Sequence, residues 1–254
     1  MSSPRGRRDA APFGQPAFAD RKQAGQLLGA AVRAAAWTAA GSGEPQRPLG
    51  PAGPLRSAGS AGPLVLALPR GGVAVAAGVA RALGAPLDVL VVRKIGHPSA
   101  PELGLGAIAE DGAGGTMEPF FDDDMLAAAR LTRLDLVDVV RRERAELARR
   151  AALYRGQSRP AASLAGRLVV VTDDGLATGV TARAALRAVR ARGAARTMLA
   201  VPVAAPQAVQ AMKNETDEVV TLVTPRRFRS VGEWYADFGQ LTDDDVLTLL
   251  AATP

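Results

Sequence analysis

Two adjacent carboxylates end the stretch of this chain that is richest in chemistry. Val169-Val-Val-Thr runs into Asp173 and Asp174, and Gly175-Leu-Ala-Thr-Gly-Val-Thr181 follows. Four β-prone residues read as a strand, the small and hydroxyl residues as a loop, and the spacing from Thr178 to Arg192 as a helix ended by Gly193. At the carboxyl edge of a parallel strand, a strand–loop–helix unit of this kind is a ligand site by geometry. The backbone N–H groups of Ala177, Thr178, Gly179, Val180 and Thr181 lie at the helix N-terminus, where free donors and the helix dipole hold a phosphate. Thr178 and Thr181 add hydroxyls, and Asp173 and Asp174 are acceptors a ribose away. An ordinary βα turn with an acidic N-cap explains one Asp but not two side by side after an apolar strand. No Gly-Lys-Ser/Thr follows Gly179, so the loop is not of the Walker type.

Other chemistries are excluded by the residues available. The 254 residues contain no Cys and a single His, His97. Disulfides, thiolate metal sites and cysteine nucleophiles are therefore absent, and a Ser-His-Asp triad would have to use His97. No serine lies in a Gly-x-Ser-x-Gly elbow and no His-Glu-x-x-His occurs, so neither the serine-hydrolase nor the zincin pattern is present. The +6 net charge is uneven: the first 62 residues hold eight of the 31 basic residues against three acidic ones. A nucleic-acid binder concentrates positive charge on its folded part, interleaved with aromatics, so nucleic acid is not expected as a partner. Apolar runs are shorter than a bilayer span and the basic start lacks an apolar leader, which predicts a cytoplasmic protein without a membrane segment.

The elements that position the acidic pair alternate. Leu64–Leu68 reads as a strand and Val73–Leu83 as a helix closed by Gly84. Leu87–Val92 is a second strand and Leu105–Ala109 a third. Asp122–Asp124 offer N-cap oxygens to one long helix ending near Tyr154. Strand Leu168–Thr172 leads to the motif; strand Thr197–Val203, helix Pro206–Met212 and strand Glu218–Val223 complete the series. Strands apolar throughout, each followed by a helix, imply an α/β fold with a doubly wound, mostly parallel sheet. Asp20 with Gln23 resembles a capping box ahead of a stripe from Leu27 to Ala35. Residues 1–17 lack apolar periodicity and are expected to be a disordered tail. Residues 18–254 then form one domain interrupted by a Pro/Gly-rich linker at 41–63.

The acidic motif resembles the phosphoribosyl-pyrophosphate (PRPP) motif of type I phosphoribosyltransferases, and other segments fall in the order that family shows. Leu68-Pro-Arg-Gly-Gly72 follows the first core strand, where the family carries its pyrophosphate loop, often with a non-proline cis peptide. Val91-Val-Arg-Lys94 follows the second, where basic residues meet the pyrophosphate. His97 to Leu105 stands where the mobile catalytic loop belongs. Ser230-Val-Gly-Glu-Trp-Tyr-Ala-Asp237 lies in a C-terminal hood contributed from about residue 225 to 254, and is similar to the hood of purine-type members. The chain is most similar to a bacterial branch carrying Leu-Pro-Arg-Gly-Gly and Asp-Asp-Gly-x-Ala-Thr-Gly. It departs from 6-oxopurine-specific members at Ala177, where they carry an acid; the methyl group argues against hypoxanthine or guanine as acceptor.

The resemblance implies a transferase of nucleotide metabolism that moves the 5-phosphoribosyl group of PRPP to a nitrogenous acceptor and releases pyrophosphate. Asp173 and Asp174 would be the catalytic pair on the ribose hydroxyls. They would also hold Mg²⁺, partly through substrate and water. Residues Ala177, Thr178, Gly179, Val180 and Thr181 would seat the 5′-phosphate, and Arg70, Gly71, Gly72, Arg93 and Lys94 the pyrophosphate. Trp234 or Tyr235 would stack on the acceptor, a nucleobase by the resemblance. A homodimer is compatible with it. The alternative is a PRPP- or nucleotide-binding regulatory protein that keeps the binding motif and performs no transfer.

Overall fold

The structure, a computed structural model, describes residues 16–40, 62–156 and 161–253. The expected tail up to residue 15 and the linker at 41–61 lie outside these residues. Ala17, at the end of the expected tail, packs against an aromatic cluster instead of standing free.

Five parallel strands form the central sheet in the order β2-β1-β6-β7-β8, with β1 at Leu64–Ala67, β2 at Leu87–Val89, β6 at Leu168–Thr172, β7 at Arg196–Val203 and β8 at Glu218–Val223. Side-chain alternation along each strand divides the core into two layers. Val65, Ala67, Val170, Met198 and Ala200 face one side, with helices α1 (Arg21–Ala40), α2 (Gly71–Leu83) and α4 (Val137–Arg155). Leu64, Leu66, Val169, Val171, Leu199 and Val201 face the other, with α5 (Val180–Ala191) and α6 (Pro206–Met212). The doubly wound sheet expected from the alternation of apolar strands and helices is the one observed.

A smaller antiparallel sheet, β3-β4-β5, stands beside it, built from β3 (Val92–His97), β4 (Ala100–Ala109) and β5 (Phe120–Phe121). The apolar run Leu87–Val92 is therefore not one strand. Leu90 still donates to the Ala67 carbonyl at 3.0 Å, but the Val91 N–H goes to the buried Glu110 carboxylate at 2.7 Å, and the chain leaves the parallel ladder there. Residues 97–105 are not an irregular loop either. Apart from a tight turn after His97 they belong to the β3–β4 hairpin, bulged on both sides of Gly96.

The expected single helix from Asp122 to Tyr154 is broken. Its first piece, α3 (Asp123–Ala129), has Asp122 as N-cap, accepting from Met125 N at 3.1 Å, and ends with Arg130 in the left-handed region. Thr132 then donates both N–H and hydroxyl to the Asp135 carboxylate at 2.7 Å, which starts a 3₁₀ turn at Leu134–Leu136 and α4 behind it. A local side chain–backbone bond of this kind competes with helix continuation. Near the C-terminus, Thr242 and Asp245 form a reciprocal capping box that opens α7 (Asp243–Ala251), an element absent from the sequence reading. It packs on α2 and α4.

Candidate functional site

Strands β1 and β6 are neighbours, with Ala67 opposite Thr172, so the turns that follow them emerge side by side. The Leu68 N–H donates to the Thr172 carbonyl at 2.9 Å and joins the two turns. Leu68-Pro-Arg-Gly-Gly72 and Asp173-Asp174 therefore face one another at the carboxyl edge, as the strand order predicts for a ligand site. The Pro69–Arg70 peptide is cis. A Cβ on Gly71 would fall on the Asp174 carboxylate, and one on Gly72 would meet the Thr172 carbonyl and Asp173 Cα, so both positions require glycine for close approach.

The acidic pair sits half-buried at the end of β6. Asp173 Oδ1 accepts the Asp174 N–H at 2.8 Å. Burial holds the Asp173 carboxyl well above the usual carboxylate range, and the neighbouring Asp174 charge pushes it further. Burial also raises Asp174, while the guanidinium of Arg21 pulls it the other way. Arg21 was missed by sequence reasoning. Its Nε lies 2.8 Å from Asp174 Oδ2, its Nη1 donates to the Gly239 carbonyl at 2.8 Å, and its guanidinium covers the Phe238 ring at 3.8 Å.

After the pair, Leu176 pins the loop to the end of β7: its N–H donates to Val203 and its carbonyl accepts from Ala205. Ala177 and Thr178 are exposed. Gly179 is the N-cap of α5 at φ 81°, with no side chain capping the helix. The first-turn amides of a helix have no intrahelical partner, so those of Val180 and Thr181 are donors at the mouth of the site. The Val180 side chain is buried against Ala107 and Ala184, and its bulk points away from the loop into the core. The whole motif is thus assembled as one surface.

The expected pyrophosphate cations divide. Lys94 lies on the side of the hairpin that faces α5, with its stem beside Gly104, which in turn faces Val180, and its Nζ 3.1 Å from the Glu102 carbonyl and 3.4 Å from its carboxylate. Arg93, one residue earlier in the strand, points the opposite way. Both its Nε and Nη2 donate to Glu143 of α4, at 2.9 and 2.7 Å, so the structure does not place it with the acidic pair. That corrects the expectation for Arg93: strand alternation puts consecutive side chains on opposite faces. Arg70 caps the start of α2 by position, and its guanidinium lies 4.0 Å from Asp243 of α7.

The two aromatic candidates also divide. Tyr235 is buried between Phe18 and Phe238, whose ring centroids lie 5.4 and 5.1 Å away, and its hydroxyl donates to the Asp174 carbonyl at 2.5 Å. Its faces are occupied, so Tyr235 supports the acidic turn and does not offer a stacking surface. Trp234 is half-buried, and its indole N–H has no hydrogen-bond partner among the described residues.

The donor set suits a hard divalent cation only with help. Asp173 and Asp174 supply carboxylate oxygens, but among the described residues no group of three or more ligating side chains forms a metal cage. Mg²⁺ characteristically takes one or two carboxylates and completes its shell with water and substrate phosphates, which these two residues fit. Among the described residues no helix is long and apolar enough to cross a membrane.

Residues 55–233 match the family model described as the phosphoribosyl transferase domain. Proteins of two Mycobacterium tuberculosis strains, provisionally named phosphoribosyl transferases, are 46% identical over 187 residues. That alignment covers 74% of this chain but 41% of the relatives, so the chain spans about two fifths of their length. The crystal structure of the protein TT1426 from Thermus thermophilus is 41% identical, with a TM-score of 0.69, and the match covers 92% of this chain and 98% of that one.

Proposed function

We propose, because the chain belongs to the phosphoribosyl transferase domain family, that it moves the 5-phosphoribosyl group of PRPP to a nitrogenous acceptor in the cytoplasm. The observation that carries this reading is the acidic pair set against the Gly71-Gly72 turn and followed along the chain by the uncapped α5 N-terminus. One end can hold a 5′-phosphate, the middle can hold ribose hydroxyls, and the opposite turn can receive the pyrophosphate.

In the proposed reaction the acceptor nitrogen forms a bond to C1′ as the bond from C1′ to the pyrophosphate oxygen breaks. The electron pair leaves with pyrophosphate, and the acceptor N–H proton passes to solvent. Positive charge develops on the ribose, so catalysis is mainly positional and electrostatic. Amides of residues 177–181 would fix the phosphate and hence the ribose. Asp173 and Asp174 would accept from the ribose hydroxyls beside the cationic carbon. The backbone N–H of Gly71, with Lys94 released from Glu102, would receive the departing pyrophosphate, Gly72 giving the close approach while its own N–H holds the Leu68 carbonyl. Mg²⁺ bound through Asp173, Asp174 and substrate oxygens would neutralise the leaving group. The exposed Ala177 offers no acid to a purine, which supports an acceptor that needs none.

A regulatory PRPP-binding protein is the second reading, favoured by the commitment of Arg93 to Glu143, which leaves fewer cations for a leaving pyrophosphate. Pyrophosphate release measured with PRPP, Mg²⁺ and a panel of purines, pyrimidines and related amines separates the two. Release with one acceptor supports the transferase. Tight PRPP binding with no release across the panel would replace it by the regulatory reading.

A further inference from the structure

We infer that Arg21 is a positioning residue of the phosphoribosyl site, holding the Asp174 carboxylate in the orientation in which the acidic pair meets the ribose. The inference rests on the PRPP reading above. Arg21, Tyr235, Phe238 and Gly239 all lie outside the segment that matches the family model, residues 55–233. The acidic pair is therefore completed by parts of the chain that the family match does not describe.

The placement begins with helix packing. Arg21, Gly25 and Gly29 recur every four residues and share one face of α1. A Cβ at Gly25 would strike the Val75 backbone, one at Gly29 the Gly78 carbonyl, and one at Gly78 the backbone of Gly25. Bare backbones thus bring α1 directly onto α2, and one turn earlier the same face carries Arg21 to the Gly71 turn. The N-terminal segment is then tied to the C-terminal one by backbone bonds: Phe18 N to Trp234 O at 3.0 Å, Ala236 N to Phe18 O at 2.8 Å and Asp237 N to Ala19 O at 2.8 Å. Arg21, Tyr235 and Phe238 consequently act as one clasp around Asp174.

That clasp holds Asp174 at both ends. Tyr235 donates to its carbonyl and Arg21 to its carboxylate, while Phe238 and the Gly239 carbonyl fix the guanidinium plane. The two charged side chains are only 11% and 16% exposed, so the pair is shielded and its geometry is fixed. Asp173, by contrast, has no ion-pair partner among the described residues. One of its oxygens takes the Asp174 N–H, and its carboxyl also meets that of Asp174, so the orientation of Asp174 is passed on to it. A planar guanidinium with several fixed donors suits the positioning role better than an ammonium.

Calorimetric titration of the full chain with PRPP and Mg²⁺ tests this. Wild-type binding establishes the PRPP reading itself; its absence would overturn that reading before any variant is compared. Arg21→Met is expected to weaken PRPP by about tenfold or more, the scale of a lost charge-assisted hydrogen bond. Arg21→Lys is expected to recover part of that loss, and the pair Arg21→Met/Asp174→Asn to bind no more weakly than Asp174→Asn alone. A mere staple of the N-terminal helix predicts a lower Tm with PRPP affinity within about twofold of wild type. That result, or additive losses in the double variant, would overturn the inference. If Arg21→Met does not fold, Phe238→Leu removes the ring that lies beneath the guanidinium and beside Tyr235, both parts of the clasp; an affinity loss of about threefold supports the inference and unchanged affinity overturns it.

Discussion

Gly71 and Asp174 meet across the narrow gap between the turns after β1 and β6, with no room for a side chain on the glycine. Gly71→Ala must therefore push the Asp174 carboxylate off its position and away from Arg21. Overpacking of this kind costs about 1–3 kcal/mol, and it acts here on a site residue. The expected result is a lower Tm together with PRPP affinity reduced by about tenfold. Calorimetry showing unchanged affinity in a folded Gly71→Ala protein would contradict the placement of the two turns.

Gly179 gives a second, independent test at the end proposed to hold the 5′-phosphate. Its φ of 81° is a left-handed conformation, and a Cβ there would also reach the Met212 side chain at 3.0 Å. Left-handed backbone costs a non-glycine residue about 1–2 kcal/mol. Gly179→Ala should weaken ribose 5-phosphate and PRPP alike while leaving inorganic pyrophosphate binding unchanged. Loss of pyrophosphate binding with ribose 5-phosphate unaffected would reverse the assigned orientation of the ligand.

Arg93 and Lys94 should separate on mutation. Arg93→Ala leaves the partly buried Glu143 with Arg142 at 3.6 Å as its remaining ion-pair partner, so the expected effect is a stability loss of about 1 kcal/mol with PRPP affinity within about threefold of wild type. Lys94→Ala should keep Tm and lose pyrophosphate affinity. The opposite assignment of the two phenotypes, read by thermal denaturation and titration, would show that strand β3 presents its cations the other way.

The acidic pair also carries a stability signature. Burial raises the Asp173 carboxyl in the ligand-free protein, so the folded state binds a proton more tightly than the unfolded chain does. By linkage, stability is greatest below the unfolded carboxylate range and falls as pH rises from there through the raised folded value. Asp173→Asn cannot ionise and escapes that fall. Its Tm should exceed that of wild type at neutral pH, by about 2–4 °C for each kcal/mol relieved, and the advantage should shrink toward pH 4. An Asn variant less stable at neutral pH than at pH 4, relative to wild type, would mean that Asp173 is not strained.

What could be read from the sequence was what is local in it. Strand β6, the Asp173-Asp174 turn and the helix after it are contiguous, so apolar run, loop composition and N-terminus appear in order. The same holds for β8 and α6, whose bounds agree with the sequence reading. Arg21 could not be found that way, because the pair it forms spans 153 positions and its residue type, in the first turn of a helix, looks like an ordinary solvated arginine. The fate of Arg93 depended on a glutamate of α4, fifty positions away. Two features were present but overlooked: Thr132 with Asp135, and Thr242 with Asp245, are capping signals that mark the break before α4 and the start of α7.

The measurement that bears most directly on the central claim is the affinity of the intact chain for PRPP with Mg²⁺, beside that of Asp173→Asn/Asp174→Asn. Asn keeps the shape of both side chains and removes both charges, so the comparison isolates the acidic pair. Binding by wild type, weakened by at least about tenfold in the double variant, is the result this account predicts. No heat with wild type, or equal affinity in the two proteins, would contradict it.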